Sequence, residues 1–164
     1  MSKKKLPPPP ILREKKPSEQ DLLSDRTYIE LETNIKFYMN PKISVRNNKY
    51  GVGVYAKKSI HKAEVIEQSP AIIVPVSEIS KISILNNYFF GLDMLGENIS
   101  AIGLGYSSLY NHSMERYNAE YGITPYLDQN LDELRVYIKI VAIDDIKINQ
   151  EILIDYGYDP SSKE

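Results

Sequence analysis

The sequence predicts a mainly β domain of the α+β class, and three observations carry that prediction. Leu134 to Ile143 alternates strictly, with Val136, Ile138 and Ile140 on one side and Arg135, Tyr137 and Lys139 on the other. Several other apolar runs are too short for helices and are bounded by Gly, Pro and Asn. There is neither an internal repeat nor a regular alternation of strands with helices, which argues against a solenoid and an α/β sandwich.

Taken in order, residues 1–17 form a Lys- and Pro-rich tail whose four prolines, Pro7 to Pro10, favour polyproline II or disorder. Lys3–Lys5 and Arg13–Lys16 are basic clusters of the sort that serve nuclear targeting or partner binding; a solvated tail accounts for them more simply. Residues 18–41 are expected to be an N-terminal helical extension. Ser18 caps it with Asp21 as its partner, Leu22, Leu23, Tyr28 and Leu31 follow a rough helical period, and Pro41 ends it. Residues 42–158 form the main domain, and residues 159–164 a short C-terminal tail.

Within that domain Ile43 to Arg46 alternates as a strand, Asn47-Asn48 reads as a turn, and Val52 to Ala56 is a short strand punctuated by Gly51 and Gly53. Glu64 to Val76 is extended, and Pro70 and Pro75 predict a bent or edge strand. Residues 77–90 read as helical, with Ile79, Ile82, Leu85, Tyr88 and Phe89 on one side. Residues 97–113 are apolar, relieved by Gly103 and Gly105. Glu151 to Tyr156 closes the domain as a short strand, with Ile152 and Ile154 on one face.

Composition excludes several classes. A net charge of -2 argues against a protein that coats nucleic acid, so no direct nucleic-acid binding is expected. Without cysteine there is no disulfide framework and no Cys-based zinc site, and two histidines, His61 and His112, argue against a His-rich metal site; no metal is expected. No apolar run nears the roughly 20 residues that span a bilayer, and the basic N-terminus lacks a signal peptide's apolar stretch. The expectation is a soluble intracellular protein with no membrane partner; nuclear or host-nuclear residence is consistent with the basic tail. Thirteen tyrosines against three phenylalanines fit either biased codon usage or a tyrosine-lined pocket.

Three segments carry candidate chemistry. Gly51-Val52-Gly53-Val54 lets backbone approach a ligand, because glycine has no Cβ. It is no dinucleotide fingerprint, since the third glycine is missing and the pair opens a strand. Asn111-His112-Ser113 places polar groups directly after an apolar run. Adjacent strand residues face opposite ways, which disfavours a Ser113–His112 nucleophile pair, and no G-x-S-x-G elbow occurs. The third segment is Glu151-Ile152-Leu153-Ile154-Asp155-Tyr156-Gly157, a strand that ends in an acid, a tyrosine and a turning glycine.

In this order, and with Ile60-x-Lys62-x-Glu64-x-Ile66 between the first two, the segments resemble the SET-domain family of protein lysine methyltransferases, most of all its compact bacterial and viral members. The resemblance runs from Ile43 to Tyr158. It implies a β-clip of small sheets with a knot-like crossing near the C-terminus, and S-adenosyl-L-methionine as cofactor. It implies that Gly51, Val52, Gly53, Val54, Asn111, His112 and Tyr156 bind that donor. Tyr156, Tyr88 and Tyr121 take the catalytic positions, and Tyr88, Tyr121 and Tyr158 line the substrate channel. The implied partner is a protein with a target lysine, with a histone tail as one candidate. Tyr121 stands where some relatives carry the tyrosine that limits methylation, which points to mono- or dimethylation.

The sequence departs from the family pattern at three places. No Pro-Asn follows Ser113, Ala63 stands for a common glycine, and Gln150 for a common glutamate. The cysteine–zinc segment that completes the lysine channel in larger relatives is absent, so residues 157–164 or a second subunit are expected to complete it, and a homodimer is one solution. The alternative of a different class is a non-catalytic SET-like module that binds protein partners through its basic, proline-rich tail.

Overall fold

The computed structural model describes residues 35–49, 51–80, 84–94 and 97–157. All of these fall in one unit, Leu31–Glu164. The tail 1–17, most of the expected helical extension, and Tyr158 with the residues after it lie outside the described residues.

Ten strands carry the fold. They are β1 (Tyr38–Met39), β2 (Ile43–Asn48), β3 (Gly51–Ala56), β4 (Val65–Pro75), β5 (Phe89–Met94), β6 (Glu97–Gly103), β7 (Asn111–His112), β8 (Ala119–Asp128), β9 (Glu133–Ala142) and β10 (Leu153–Ile154). Six form one sheet in the order β5-β6-β4-β9-β8, with β1 beside β4. The clearest periodic segment became β9, and its alternating Val136, Ile138 and Ile140 are buried. They pack with Ile66 of β4 and Ala101 of β6, so the apolar faces of three adjacent strands make one core.

Two smaller pairs sit beside this sheet. β2 and β3 form a hairpin, in register from Ile43↔Ala56 to Asn48↔Gly51. β10 pairs with β7 in parallel, Leu153 opposite Asn111 and Ile154 opposite His112. The loop after β7 wraps this last strand. Ser113 N–H donates to the Ile154 carbonyl (3.1 Å) and Asn118 N–H to that of Leu153 (3.0 Å). The hairpin also grips the final segment, because Ile152 N–H donates to the Val54 carbonyl (2.8 Å) and Ala56 N–H to that of Gln150 (3.0 Å). These bonds tie the small sheets together near the C-terminus.

Four local expectations need correction. Tyr38–Met39, inside the expected helical extension, is a strand paired with Glu67–Gln68 of β4, since an open stretch of β4's edge offers its backbone groups a partner. β4 is central rather than an edge despite Pro70. Along β4, pairing with β1 covers Glu67–Gln68 and pairing with β6 starts at Ala71, so the missing proline N–H falls in the gap between them, where the Pro70 carbonyl accepts Leu104 N–H (2.9 Å). Residues 77–90 are not one helix. Val76–Glu78 and Ile84–Asn87 are 3-10 turns, and Phe89 and Phe90 join β5, opposite Ile102 and Ala101. β-branched Ile79, Ile82 and Ile84 and the Asn86-Asn87 pair are poor helix formers, and sheet pairing buries Phe90 instead. The first reversal comes after Asn48 rather than at Asn47-Asn48, because Gly51 with φ 123° takes the conformation that the turn needs.

Candidate active site

The glycine strand faces a polar cluster. Gly53 lies where a Cβ would collide with Glu151 Oε1 and crowd the side-chain amides of Asn48 and Asn111. Glu151 Oε1 accepts from Asn48 Nδ2 (2.8 Å) and from Asn111 Nδ2 (2.7 Å), and Asn111 Nδ2 also donates to the Val52 carbonyl (3.0 Å). Three segments far apart in sequence are thereby fastened over one missing side chain. The sequence suggested that Gly53 makes room for a ligand; the room directly over it holds these three side chains. Gly51 is exposed, with open space at its Cβ position. Val54 is fully buried in the core, so only its backbone is available to the strand's surface role.

Next to Asn111, His112 packs against the final tyrosine. The rings of His112 and Tyr156 stack with centroids 4.9 Å apart and planes at 29°. Tyr156 N–H donates to His112 Nδ1 (3.0 Å), so that nitrogen carries no proton and the neutral ring holds its proton on Nε2. Asp155 Oδ1 lies 3.6 Å from the same nitrogen, which is too far, and Nδ1 has no proton to share, so the two do not form an ion pair here. The Tyr156 hydroxyl donates to the Tyr110 carbonyl (2.6 Å).

Tyr156 also lines a cavity with Tyr88, Phe90, Tyr110, Tyr121, Ser107 and Ser108. Tyr121 stands on β8 and packs on Phe90 of β5 at 4.9 Å, so two sheet edges close around the opening. Tyr88, just before β5, is exposed at its mouth. Behind the cavity lies a buried carboxylate, Glu67 of β4. Its Oε1 accepts the N–H groups of Tyr106 (2.8 Å) and Ser107 (3.1 Å), and its Oε2 accepts the Tyr110 hydroxyl (3.0 Å). Burial pushes the Glu67 carboxyl above the usual carboxylate range, against the pull of its hydrogen bonds to Ser69, Tyr110, Tyr106 and Ser107. Burial, with the charge and hydrogen bond of Glu67, pushes the Tyr110 phenol well above its ordinary value.

A match to the SET domain covers residues 51–157, about two thirds of the sequence, from the glycine strand to the residue after Tyr156. The chain belongs to the SET-domain family. Among solved structures, a Plasmodium falciparum protein assigned as a histone methyltransferase is 31% identical with a TM-score of 0.57, over 76% of this chain and 100% of that one. The Neurospora SET-domain protein DIM-5, a histone lysine methyltransferase, is 18% identical with a TM-score of 0.52, over 74% of this chain and 54% of that one. KRYPTONITE, in complex with mCHH DNA, an H3(1–15) peptide and SAH, is 21% identical with a TM-score of 0.52, over 77% of this chain and 25% of that one. At those last two identities the likeness is one of fold. Comparison with curated proteins gives no match.

Within this SET domain the segments singled out from sequence form two connected groups. Gly53 and Asn111 meet at Glu151, with Val52 joined to them through Asn111, while Tyr156, Tyr88 and Tyr121 meet on the cavity. The His112–Tyr156 stack joins them. Sequence reasoning missed the residues that hold these groups in place: Glu67, Tyr110, Asn118 and Asn48. Asn118 Nδ2 donates to the Glu151 carbonyl (2.9 Å) and its Oδ1 accepts Leu153 N–H (3.0 Å). Nothing local marks Glu67, which stands in β4 beside the polar Gln68 and Ser69. Among the described residues no cluster of His, Cys, Asp and Glu is arranged to hold a metal ion, and no helix is long and apolar enough to cross a membrane.

Proposed function

We propose that this SET domain is an S-adenosylmethionine-dependent protein-lysine N-methyltransferase. The observation that carries the reading is the double placement of Tyr156. It is stacked on His112 beside the glycine strand, and it lines the same cavity as Tyr88 and Tyr121. One side chain thus borders both the proposed donor site and the proposed lysine channel. The relatives support the substrate class, since one structure holds an H3 peptide together with SAH; a histone tail is the proposed target.

The residues fit the donor. Gly51 and Val52 offer backbone at the open end of the strand, Gly53 makes room for the Glu151–Asn111 pair beside it, and that pair brings acceptor oxygens that suit a cationic amino-acid portion. Asn111, His112 and Tyr156 would complete the donor's enclosure, with Val54 supporting from the core. S-adenosylmethionine supplies an already activated sulfonium methyl, so the protein's task is mostly alignment.

The tyrosine cavity strips water from the target ammonium, which lowers its pKa and favours the neutral amine. Aromatic faces of Tyr88 and Tyr121 hold the lysine stem and its methylated cation. The Tyr156 hydroxyl donates its proton to the Tyr110 carbonyl, so towards a polarised methyl its oxygen would act as an acceptor of weak C–H···O contacts. The Tyr121 hydroxyl narrows the channel, consistent with mono- or dimethylation, and Tyr158 is proposed as a further channel residue.

Calorimetry with S-adenosylmethionine, followed by methyl transfer to histones and mass spectrometry, tests this reading. Expected are saturable donor binding, mono- or dimethyl-lysine product, and a Tyr156→Phe variant that binds donor but transfers roughly 100-fold more slowly. Absence of donor binding in the folded protein would sink the enzyme reading and leave a protein-interaction module.

A further inference from the structure

The motifs that define the proposed reaction leave one costly group unexplained. Glu67 is fully buried, with both carboxylate oxygens engaged. Burying a carboxylate is expensive, and an apolar side chain of similar size would suit the surrounding core better. The chain also makes room for it. A Cβ on Gly105 would collide with Glu67 Oε1, and one on Gly103 with Ser107 Oγ. The Gly103-Leu104-Gly105 run is thereby accounted for as space for the carboxylate and the turn it grips.

What Glu67 grips leads to the cavity. Its Oε1 holds the start of the 3-10 turn Ser107–Leu109 through two backbone N–H groups, and its Oε2 holds the end through the Tyr110 hydroxyl. Tyr110 is also buried, and its carbonyl takes the Tyr156 proton at 2.6 Å. Resting on the methyltransferase reading above, we infer that Glu67 is a positioning residue for Tyr156: through the Tyr110 side chain and carbonyl it fixes where the Tyr156 hydroxyl stands and directs its proton to the cavity wall. Without the clamp the Tyr110 carbonyl drifts, and the Tyr156 hydroxyl gains orientations in which its proton faces the incoming methyl. Small misplacements of this kind are large in rate because alignment is most of the catalysis.

A turn-stabilising role alone predicts something different, and three variants separate the two. Glu67→Gln keeps an oxygen for the backbone donors but offers Tyr110 a donor amide. Tyr110→Phe removes only the hydroxyl. Ile60→Val removes one buried methyl group from the same core, at the bridge between Ile60 and Ile146, and shares no hydrogen bond with Glu67, Tyr110 or Tyr156. Positioning predicts that Glu67→Gln and Tyr110→Phe each lower kcat roughly 10- to 100-fold, with KM for donor and protein within about twofold. Ile60→Val should leave kcat within about twofold despite its loss of thermal stability.

A second readout needs no turnover. With isotope-labelled tyrosine, the Tyr156 ring resonance is assigned by its loss in Tyr156→Phe. It should shift or broaden in Tyr110→Phe and stay in place in Ile60→Val. A Tyr156 resonance unmoved by Tyr110→Phe, or a kcat loss that simply follows stability across all three variants, would overturn the inference. A resonance that responds in a native protein that transfers no methyl group keeps the Glu67–Tyr156 coupling and removes the methyltransferase reading instead. Should Glu67→Gln fail to fold, Tyr110→Phe decides the matter alone.

Discussion

The central sheet and the site segment hold their shape by different means. β4, β8 and β9 are ten or eleven residues long, and their ladders and apolar faces share the stabilisation among many groups. The site segment consists of a three-residue turn and two strands of two residues each, and side chains reaching in from elsewhere fix it. Glu67 holds the turn, Asn118 holds β10, Glu151 holds Asn111, and His112 takes the Tyr156 N–H. Short irregular backbone lets functional groups converge, but each bond is then nearly irreplaceable. In the sheet, losses should be graded and confined to stability; in the site, a single polar deletion should alter both stability and shape.

The largest stability effect is expected in the sheet. Ile138→Ala empties part of the core beneath Gly103 and should cost about 2–5 kcal/mol in denaturant unfolding. Donor affinity of the folded fraction should remain within about twofold of the native value. A large affinity loss in that variant would show that the two regions are not separable as drawn.

Asn118→Ala should destabilise less, by about 2–3 kcal/mol, because it leaves the Leu153 N–H and the Glu151 carbonyl without their side-chain partner. Unlike Ile138→Ala it should also weaken donor binding by about tenfold or more, since Glu151 and β10 shift together. Equal donor affinity in the two variants, measured by calorimetry, would erase the contrast.

This division also explains what could be read from the sequence. β9 was plain from its alternation because burial of one strand face is a local, periodic property. The SET family could be named from three segments in order, because glycine, Asn-His and Asp-Tyr are demanded by local chemistry. Pro70 misled: whether a missing N–H is harmful depends on which neighbour lies opposite, and that is set by β1 and β6. Residues 77–90 misled because an apolar count cannot tell a helix face from two turns feeding a strand. Glu67 and Asn118 were illegible as site residues, since each acts on a segment about 35 to 40 residues away.

Ala63, where the family commonly has glycine, lies in the turn that feeds β4 and has φ 67°. A side chain there is strained, although its N–H is bonded to the Ala142 carbonyl (2.8 Å). Ala63→Gly should raise stability by about 0.5–1 kcal/mol, the relief of strain exceeding the added freedom of the unfolded chain. An unchanged or lower melting temperature would mean that the neighbours hold this conformation without strain. Being remote from Tyr156, the change should leave kcat as it is.

The smallest expected effect compares two acids three residues apart. Glu64, partly exposed at the start of β4, receives Lys42 Nζ on both oxygens (2.7 and 2.8 Å) and accepts from Asn40 and from His61 N–H. The Lys42 bond, foremost, lowers its pKa from 4.5 to about 2. Its stabilisation is therefore complete above pH 4.5 and is lost as pH falls through about 2. Glu67 is shifted upward, so its protonation on acidification favours the folded state and works against that loss. Lys42→Met should let the Glu64 carboxyl rise toward its ordinary value, with Asn40 and His61 still holding it partly down. Unfolding free energies measured between pH 6 and pH 2.5 should then fall less steeply than in the native protein, by a margin within the modest range of exposed ion pairs. Parallel curves for the two proteins would mean that solvent already screens the Lys42–Glu64 pair, and that the acid limb belongs to other carboxylates.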